Sequence, residues 1–203
     1  MPSYEFENAA REKGFVNICG VDEAGRGPLA GNVVAGAVIM PQGLIIDGLD
    51  DSKKLSEKKR EALYEIITEK TIWSVAWATP AEIDAYNILG ATMLAMKRVI
   101  EGLPQKADYA LIDGNRAKGF DIPLETIVKG DSKSFSIAAA SIIAKVTRDR
   151  QCLELDRKYP EYGFAIHKGY PTKAHMEAVI KLGPCPEHRK SFLSFVGRAK
   201  NEK

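Results

Sequence analysis

The sequence predicts an α/β domain, a mixed sheet with helices on its faces. Two observations carry this. Two short β-branched segments come first and are separated by a glycine-rich turn, as in a hairpin. Apolar strand-like segments then alternate with stretches of helical period, the order that places helices against a sheet.

The elements follow in order. Ile18 to Val21 and Val33 to Ile39 read as strands joined by the turn Gly25–Gly31. Ser56 caps a helix to about Lys70, with Leu63, Ile66 and Ile67 on one face and Lys58, Lys59, Glu61, Glu65 and Glu69 outside. Thr71 to Ala78 is a strand rich in Trp, Val and Ala. Pro80 opens a helical stretch broken near Leu89-Gly90, and a second helix runs from Ala91 to Glu101. Ala107 to Asp113 is a buried strand, and Thr126 to Val128 a short one ending at Gly130-Asp131. Ser134 to about Lys158 is the longest helix. The remainder is richer in Gly and Pro, with a helix near Lys173–Leu182.

The chain has 203 residues, which suits a single domain spanning 1–203. Hydrophobic residues are 45% and charged residues 28%, which excludes a disordered or fibrous chain. Lys+Arg 29 against Asp+Glu 27 gives a net charge of +2 and no vote for a polyanionic partner from composition. Cys19, Cys152 and Cys185 are odd in number and lack CxxC spacing, so neither a disulfide framework nor a zinc site is expected. The polar N-terminus has no signal-like apolar core, and Val33 to Met40 is too short to span a membrane. A soluble, cytoplasmic protein is expected, with no membrane partner.

The informative pattern is acid at the ends of apolar strands. Asp22 and Glu23 follow Ile18-Cys19-Gly20-Val21, Asp113 follows Tyr109-Ala110-Leu111-Ile112, and Asp131 precedes the long helix. A carboxylate leaving a buried strand must be paired, protonated or bound to a cation. Several converging would take hard divalent ions such as Mg²⁺ or Mn²⁺ through oxygen. Two such ions are a common apparatus for phosphodiester hydrolysis. Taken singly, Asp113-Gly114 is an ordinary turn and Asp131 an ordinary helix cap. Successive strand residues point to opposite faces, so Asp22 and Glu23 meet at one cluster only if the strand bends or ends there. The glycines at 25 and 27 allow that bend.

Gly25-Arg26-Gly27 follows directly, and lacks the ending of a nucleotide P-loop. With its neighbours it says more. The block Gly20-Val21-Asp22-Glu23-Ala24-Gly25-Arg26-Gly27-Pro28-Leu29-Ala30-Gly31 resembles the first motif of the type 2 ribonucleases H, the bacterial ribonuclease HII group above all. Asp51-Ser52-Lys53-Lys54-Leu55-Ser56, Ile112-Asp113-Gly114, Gly130-Asp131, the helix Ser136–Arg150, His167-Lys168-Gly169-Tyr170-Pro171-Thr172 and His188-Arg189-Lys190-Ser191-Phe192 agree in order.

The resemblance implies a ribonuclease H-like fold. This is a five-stranded mixed sheet flanked by helices, with a small helical C-terminal part at about 160–203. It implies endonucleolytic cutting of the RNA strand of RNA–DNA hybrids and cutting 5′ of ribonucleotides embedded in duplex DNA. The implied chemistry uses two metal ions, Mn²⁺ or Mg²⁺, and leaves 5′-phosphate and 3′-hydroxyl ends. The family's metal-site acids map onto Asp22, Glu23, Asp113 and Asp131. Its sensor of the 2′-hydroxyl maps onto Gly25, Arg26 and Gly27, and its junction tyrosine onto Tyr170. Ser52, Lys53 and Asn87 resemble positions near the nucleic-acid strands. Asn32 stands where relatives usually carry proline, and a small change where the second strand begins is expected.

Lys145 and Arg148 on the long helix either face phosphates or, for Lys145 with Asp149, form an i,i+4 surface pair. His188-Arg189-Lys190 is expected to add to the binding surface, and His167 and His175 to be structural or substrate-adjacent. A monomer is expected, and residues 197–203 show no clamp-binding tail with paired aromatics. The ribonuclease HIII group usually carries Gly-Thr-Gly after the acidic pair, unlike Gly25-Arg26-Gly27. The rival from another class is a catalytically silent hybrid-binding module, against which the presence of all four acids weighs.

Overall fold

A computed structural model describes residues 2–196. Five strands form one mixed sheet in the order β3-β2-β1-β4-β5. β1 (Ile18–Ala24) and β2 (Val33–Ile39) pair antiparallel, and β2 pairs antiparallel with β3 (Ile72–Ala78). β4 (Tyr109–Asp113) lies parallel to β1, and β5 (Leu124–Ile127) parallel to β4. The parallel order requires a crossover, which is supplied by α3 (Pro80–Glu101). Every residue of β2 is buried, as expected for a central strand covered on both faces.

One face carries α3, whose Ile83, Ala91, Ala95 and Val99 pack on Cys19, Val21, Ala35 and Ala37. The other carries α4 (Phe135–Lys158), with α2 (Glu57–Lys70) beyond it. α4 sits unusually close to the sheet. A Cβ added at Gly20 would lie 2.1 Å from the Ser136 carbonyl carbon, and one at Gly36 would lie 2.5 Å from the Ala140 oxygen. Those two glycines let the α4 backbone rest on the centre of β1 and β2.

The expected strands and long helices are found, with local differences. The break in α3 falls at Asn87 (φ 58°, ψ 170°), not at Leu89-Gly90. The Asn87 side chain accepts from the Leu89 and Gly90 amides and so caps the second half of the helix. The last strand begins at Leu124, two residues earlier than expected. The charged N-terminus forms a helix, α1 (Glu5–Glu12), that the sequence reading left unassigned. Its Glu7 is buried and accepts from the Ser134 and Ser136 hydroxyls at the start of α4. Beyond α4 come a short helix, α5 (Phe164–His167), and α6 (Lys173–Leu182). No helix among the described residues is long and apolar enough to cross a membrane. The tail at 197–203 lies outside the described residues.

Candidate active site

The acids meet where the parallel pairing of β1 with β4 stops. β1 and β4 are paired up to Val21↔Ile112, and Asp22 and Asp113 are the next residues on each. Neighbours in a parallel pair point the same way, so both carboxylates leave on one face. Asp131 joins them from a 3-10 turn, Gly130–Ser132, that follows β5 and leads into α4. The Asp113 carboxylate accepts from the Gly130 amide at 2.6 Å, which ties the two segments together. Asp22, Asp113 and Asp131 each offer an oxygen within 4.8 Å of the others.

Glu23 lines the same groove as Asp22 and Asp113 but is not one of this close trio. β1 stays paired with β2 as far as Ala24↔Val34, so the strand neither ends nor leaves the sheet at Asp22. Glu23 Oε1 accepts from Arg26 Nη1 at 3.3 Å, and its charge still acts on Asp22.

The cluster is electrostatically strained. Burial, reinforced by the charges of Glu23 and Asp113, holds the Asp22 carboxyl well above the usual carboxylate range. Burial raises Glu23 as well, with Arg26 opposing. Burial and the charge of Asp113 raise Asp131, with Lys53 opposing. Lys53 Nζ stands 3.4 Å from Asp131 Oδ2. An all-oxygen donor set with excess negative charge fits a hard divalent cation, which would relieve this repulsion.

A groove runs from Asp22, Glu23 and Asp113 past Gly25-Arg26-Gly27 to Tyr170. Gly25 has φ 94° and leaves no room for a side chain, since a Cβ there would lie 2.8 Å from Arg148 Nε. A Cβ at Gly27 would lie 3.5 Å from Tyr170 Cε1, so the tyrosine ring lines the wall beside it. Tyr170 is itself exposed, but its backbone is fixed. Its amide donates to His167 O at 2.9 Å, and its carbonyl meets His175 Nδ1 at 2.9 Å.

The turn is bound to the C-terminal part from two sides. The Leu29 amide donates to Gly169 O, the Gly31 amide to Glu187 O, and the Arg189 amide to Leu29 O, each at 2.8 Å. Asn32 donates from Nδ2 to Gln151 Oε1 of α4 at 3.2 Å.

His188 and Arg189 correct an expectation. Both are buried, so the triplet does not form a basic surface; only Lys190 is exposed. The Arg189 guanidinium is packed beneath the turn, where burial and nearby Arg148 push its pKa down to about 9, leaving it charged at neutral pH. Nothing in the local sequence marked it, because a buried arginine flanked by basic residues looks like any surface cation.

The three histidines form one packed group, with His167 and His175 stacked at 4.1 Å between ring centroids. The contacts of His175 and His188 fit neutral rings. His188 Nδ1 accepts from the Cys185 amide, leaving Nε2–H to meet His175 Nε2 at 3.1 Å; His175 Nδ1–H then donates to Tyr170 O. Burial and His175 push the His188 pKa down to about 4, and burial also lowers His175. This is the structural reading, placed directly behind Tyr170.

The remaining expected residues divide. Ser52 and Lys53 line the groove, Ser52 buried and hydrogen-bonded to the Ser141 hydroxyl at 2.7 Å. Lys145 also lines it and pairs with Asp149 at 2.7 Å, the i,i+4 alternative. Arg148 lines the groove as well. It is buried, and its Nη2 donates to Ala30 O at 2.8 Å behind the turn. Asn87 is exposed on the α3 break and is not among the groove's lining residues.

Comparison with known proteins agrees with this architecture. The family model described as Ribonuclease HII matches residues 19–195. Ribonuclease HII of Laribacter hongkongensis is 58% identical over 178 residues, 86% of this chain and 90% of that protein. Ribonuclease HII of Clostridioides difficile is 54% identical over 189 residues, 93% of this chain and 74% of that protein. Among solved structures, the ribonuclease H2 of Pyrococcus horikoshii superposes with a TM-score of 0.75 at 26% identity, covering 93% of this chain and 100% of that one. Bst-RNase HIII in complex with Mn²⁺ shares the fold, with a TM-score of 0.73 at 17% identity over 96% of this chain and 73% of that one. With matches of this extent and a strand-end acid cluster suited to a divalent cation, the chain belongs to the ribonuclease HII family and is a metal-dependent ribonuclease.

Proposed function

We propose that this chain cuts 5′ of ribonucleotides embedded in duplex DNA as well as within RNA–DNA hybrids, by a two-metal-ion hydrolysis leaving 5′-phosphate and 3′-hydroxyl ends. Family membership makes it an endoribonuclease of RNA–DNA hybrids; the finer statements are our reading. The observation that carries them is a groove joining Asp22, Glu23 and Asp113, with Asp131 clustered beside them, to the Gly25-Arg26-Gly27 turn and Tyr170.

Asp22, Glu23, Asp113 and Asp131 are the residues that would hold the metal. Bound divalent Mn²⁺ or Mg²⁺ supplies a water nucleophile at neutral pH and stabilises the departing oxygen. The chain's own residues supply placement and selection. Main chain at half-buried Gly25 and exposed Gly27, with no side chain of their own intervening, meets the ribose 2′-hydroxyl that separates RNA from DNA. Tyr170, on the groove wall beside Gly27, packs on the adjoining sugar. Arg26, exposed between the glycines, meets phosphate, as do Lys53 and Lys145 at the groove's edge. Ser52 is held by Ser141 to present Lys53, and Arg148 supports the turn from behind. Asn87 caps the second half of α3 and is not among the groove's lining residues. The protein acts as a monomer in the cytoplasm.

The test is cleavage by the pure protein of a long hybrid and of a DNA duplex with one ribonucleotide, each with Mg²⁺ and with Mn²⁺. A nick on the 5′ side of the lone ribonucleotide is expected. Cutting of the long hybrid alone would overturn the ribonucleotide-excision reading.

A further inference from the structure

We propose that Arg189 is the positioning residue of the Gly25–Gly27 turn, and that its grip sets how strictly the chain separates a ribonucleotide from a deoxyribonucleotide. This rests on the reading of the turn as the element that meets the ribose 2′-hydroxyl.

Arg189 sits 157 or more residues away in sequence from every main-chain group its side chain touches, and is fully buried beneath them. All five of its N–H groups are used. Nε donates to Gly31 O at 2.9 Å. Nη1 donates to Arg26 O at 3.0 Å and Pro28 O at 2.7 Å. Nη2 donates to Gly25 O at 2.6 Å and Asn32 O at 3.2 Å. A guanidinium has five donors and no more, so the set is complete. The acceptors lie on both limbs of the loop, and the planar fork fixes their directions as well as their separations.

Every partner is a main-chain carbonyl, and none is a carboxylate. Burying a charge without a counter-ion is costly, and an apolar side chain serves stability alone better. The residue's worth therefore lies in the shape it imposes. It reaches no substrate, because the turn stands between it and the groove. Its backbone is held independently, through the Arg189 amide to Leu29 O and the Ala30↔His188 bridge, so a changed side chain leaves the segment in place.

The test compares the wild type with Arg189→Lys and Arg189→Ala. Lysine offers three donors and must leave at least two of the carbonyls bare. Two readouts are taken. One is the ratio of kcat/KM on a DNA duplex with a single ribonucleotide to that on the same duplex with a 2′-fluoro-2′-deoxynucleotide. The other is amide hydrogen exchange over residues 25–32. We expect the ratio to fall about tenfold or more, since small misplacements of a positioning element carry large kinetic losses. Exchange at 25–32 quickens while β1 and β4 stay protected, and added guanidinium restores the ratio in Arg189→Ala. A purely structural role is represented by Ile67→Ala, a buried change where α2 packs into the core with α4, which lowers Tm and leaves the ratio at the wild-type value. Wild-type ratio and wild-type exchange in Arg189→Lys would overturn the assignment of Arg189 alone. Quickened exchange with an unchanged ratio would show a turn that is held but does not read the sugar, overturning that reading and this inference with it.

Discussion

Lys53 Nζ lies 3.4 Å from Asp131 Oδ2, an ammonium at the rim of three converging carboxylates. It occupies the role of a counter-charge where a divalent cation would sit. Removing it should leave the cluster more repulsive without metal. Lys53→Gln is expected to lower Tm in chelator and to show a larger Tm rise than the wild type on adding Mn²⁺. Thermal melts with and without metal check this; an equal rise in both would place Lys53 outside the metal's electrostatic environment.

Asp113 both adds to the repulsion on Asp22 and anchors Gly130. Asparagine keeps a carbonyl oxygen for the Gly130 amide and removes the charge. The folded-state pKa of Asp22 is raised, so its ionised form opposes folding above the normal carboxylate range. Asp113→Asn should therefore raise metal-free Tm at pH 7 while cutting kcat by at least about 10²-fold. Hybrid binding should stay measurable in a filter or fluorescence assay. Normal cleavage by this variant would remove Asp113 from the metal site.

Tyr170 is exposed, and its backbone is held by His167 and His175 independently of its ring. Tyr170→Ala is therefore expected to fold normally. It should lose more activity on a duplex with an isolated ribonucleotide than on a long hybrid, by about tenfold in the ratio of kcat/KM values. Equal losses on the two substrates would mean the ring does not read the junction.

His188 is buried as a neutral ring, its pKa pushed down to about 4. The unfolded chain titrates it near 6.5, so between these values the unfolded state binds the extra proton. Its contribution is complete above about pH 6.5, shrinks as pH falls, and levels off below about pH 4. The full loss is on the order of 3 kcal/mol. Urea melts of the wild type and His188→Gln should differ most at pH 7.5 and converge towards pH 4.5. A pH-independent difference would show that His188 is not held neutral.

The sheet was largely legible because its strands are β-branched and bounded by glycines, and α4 because its apolar residues recur at helical spacing. The N-terminal helix was hidden by its charge. Glu7 is an acid turned inward to cap α4, and no local pattern separates it from Glu5 on the outside. The acids were readable because a carboxylate ending an apolar run demands an explanation. That Glu23 turns towards Arg26 was not, since it depends on β1 staying paired through Ala24↔Val34. Arg189 was least readable of all. Its burial is decided by carbonyls on a loop far away in the chain, and its own neighbours are basic.

The two halves of the site are completed at different moments in the life of the chain. The acids are all in place once residue 131 has been made and α4 has settled on the sheet. The turn at 25–32 waits for a side chain some 160 residues downstream. During synthesis, a polypeptide short of residue 189 already carries its cutting acids and has not yet received the clasp beneath its selective loop.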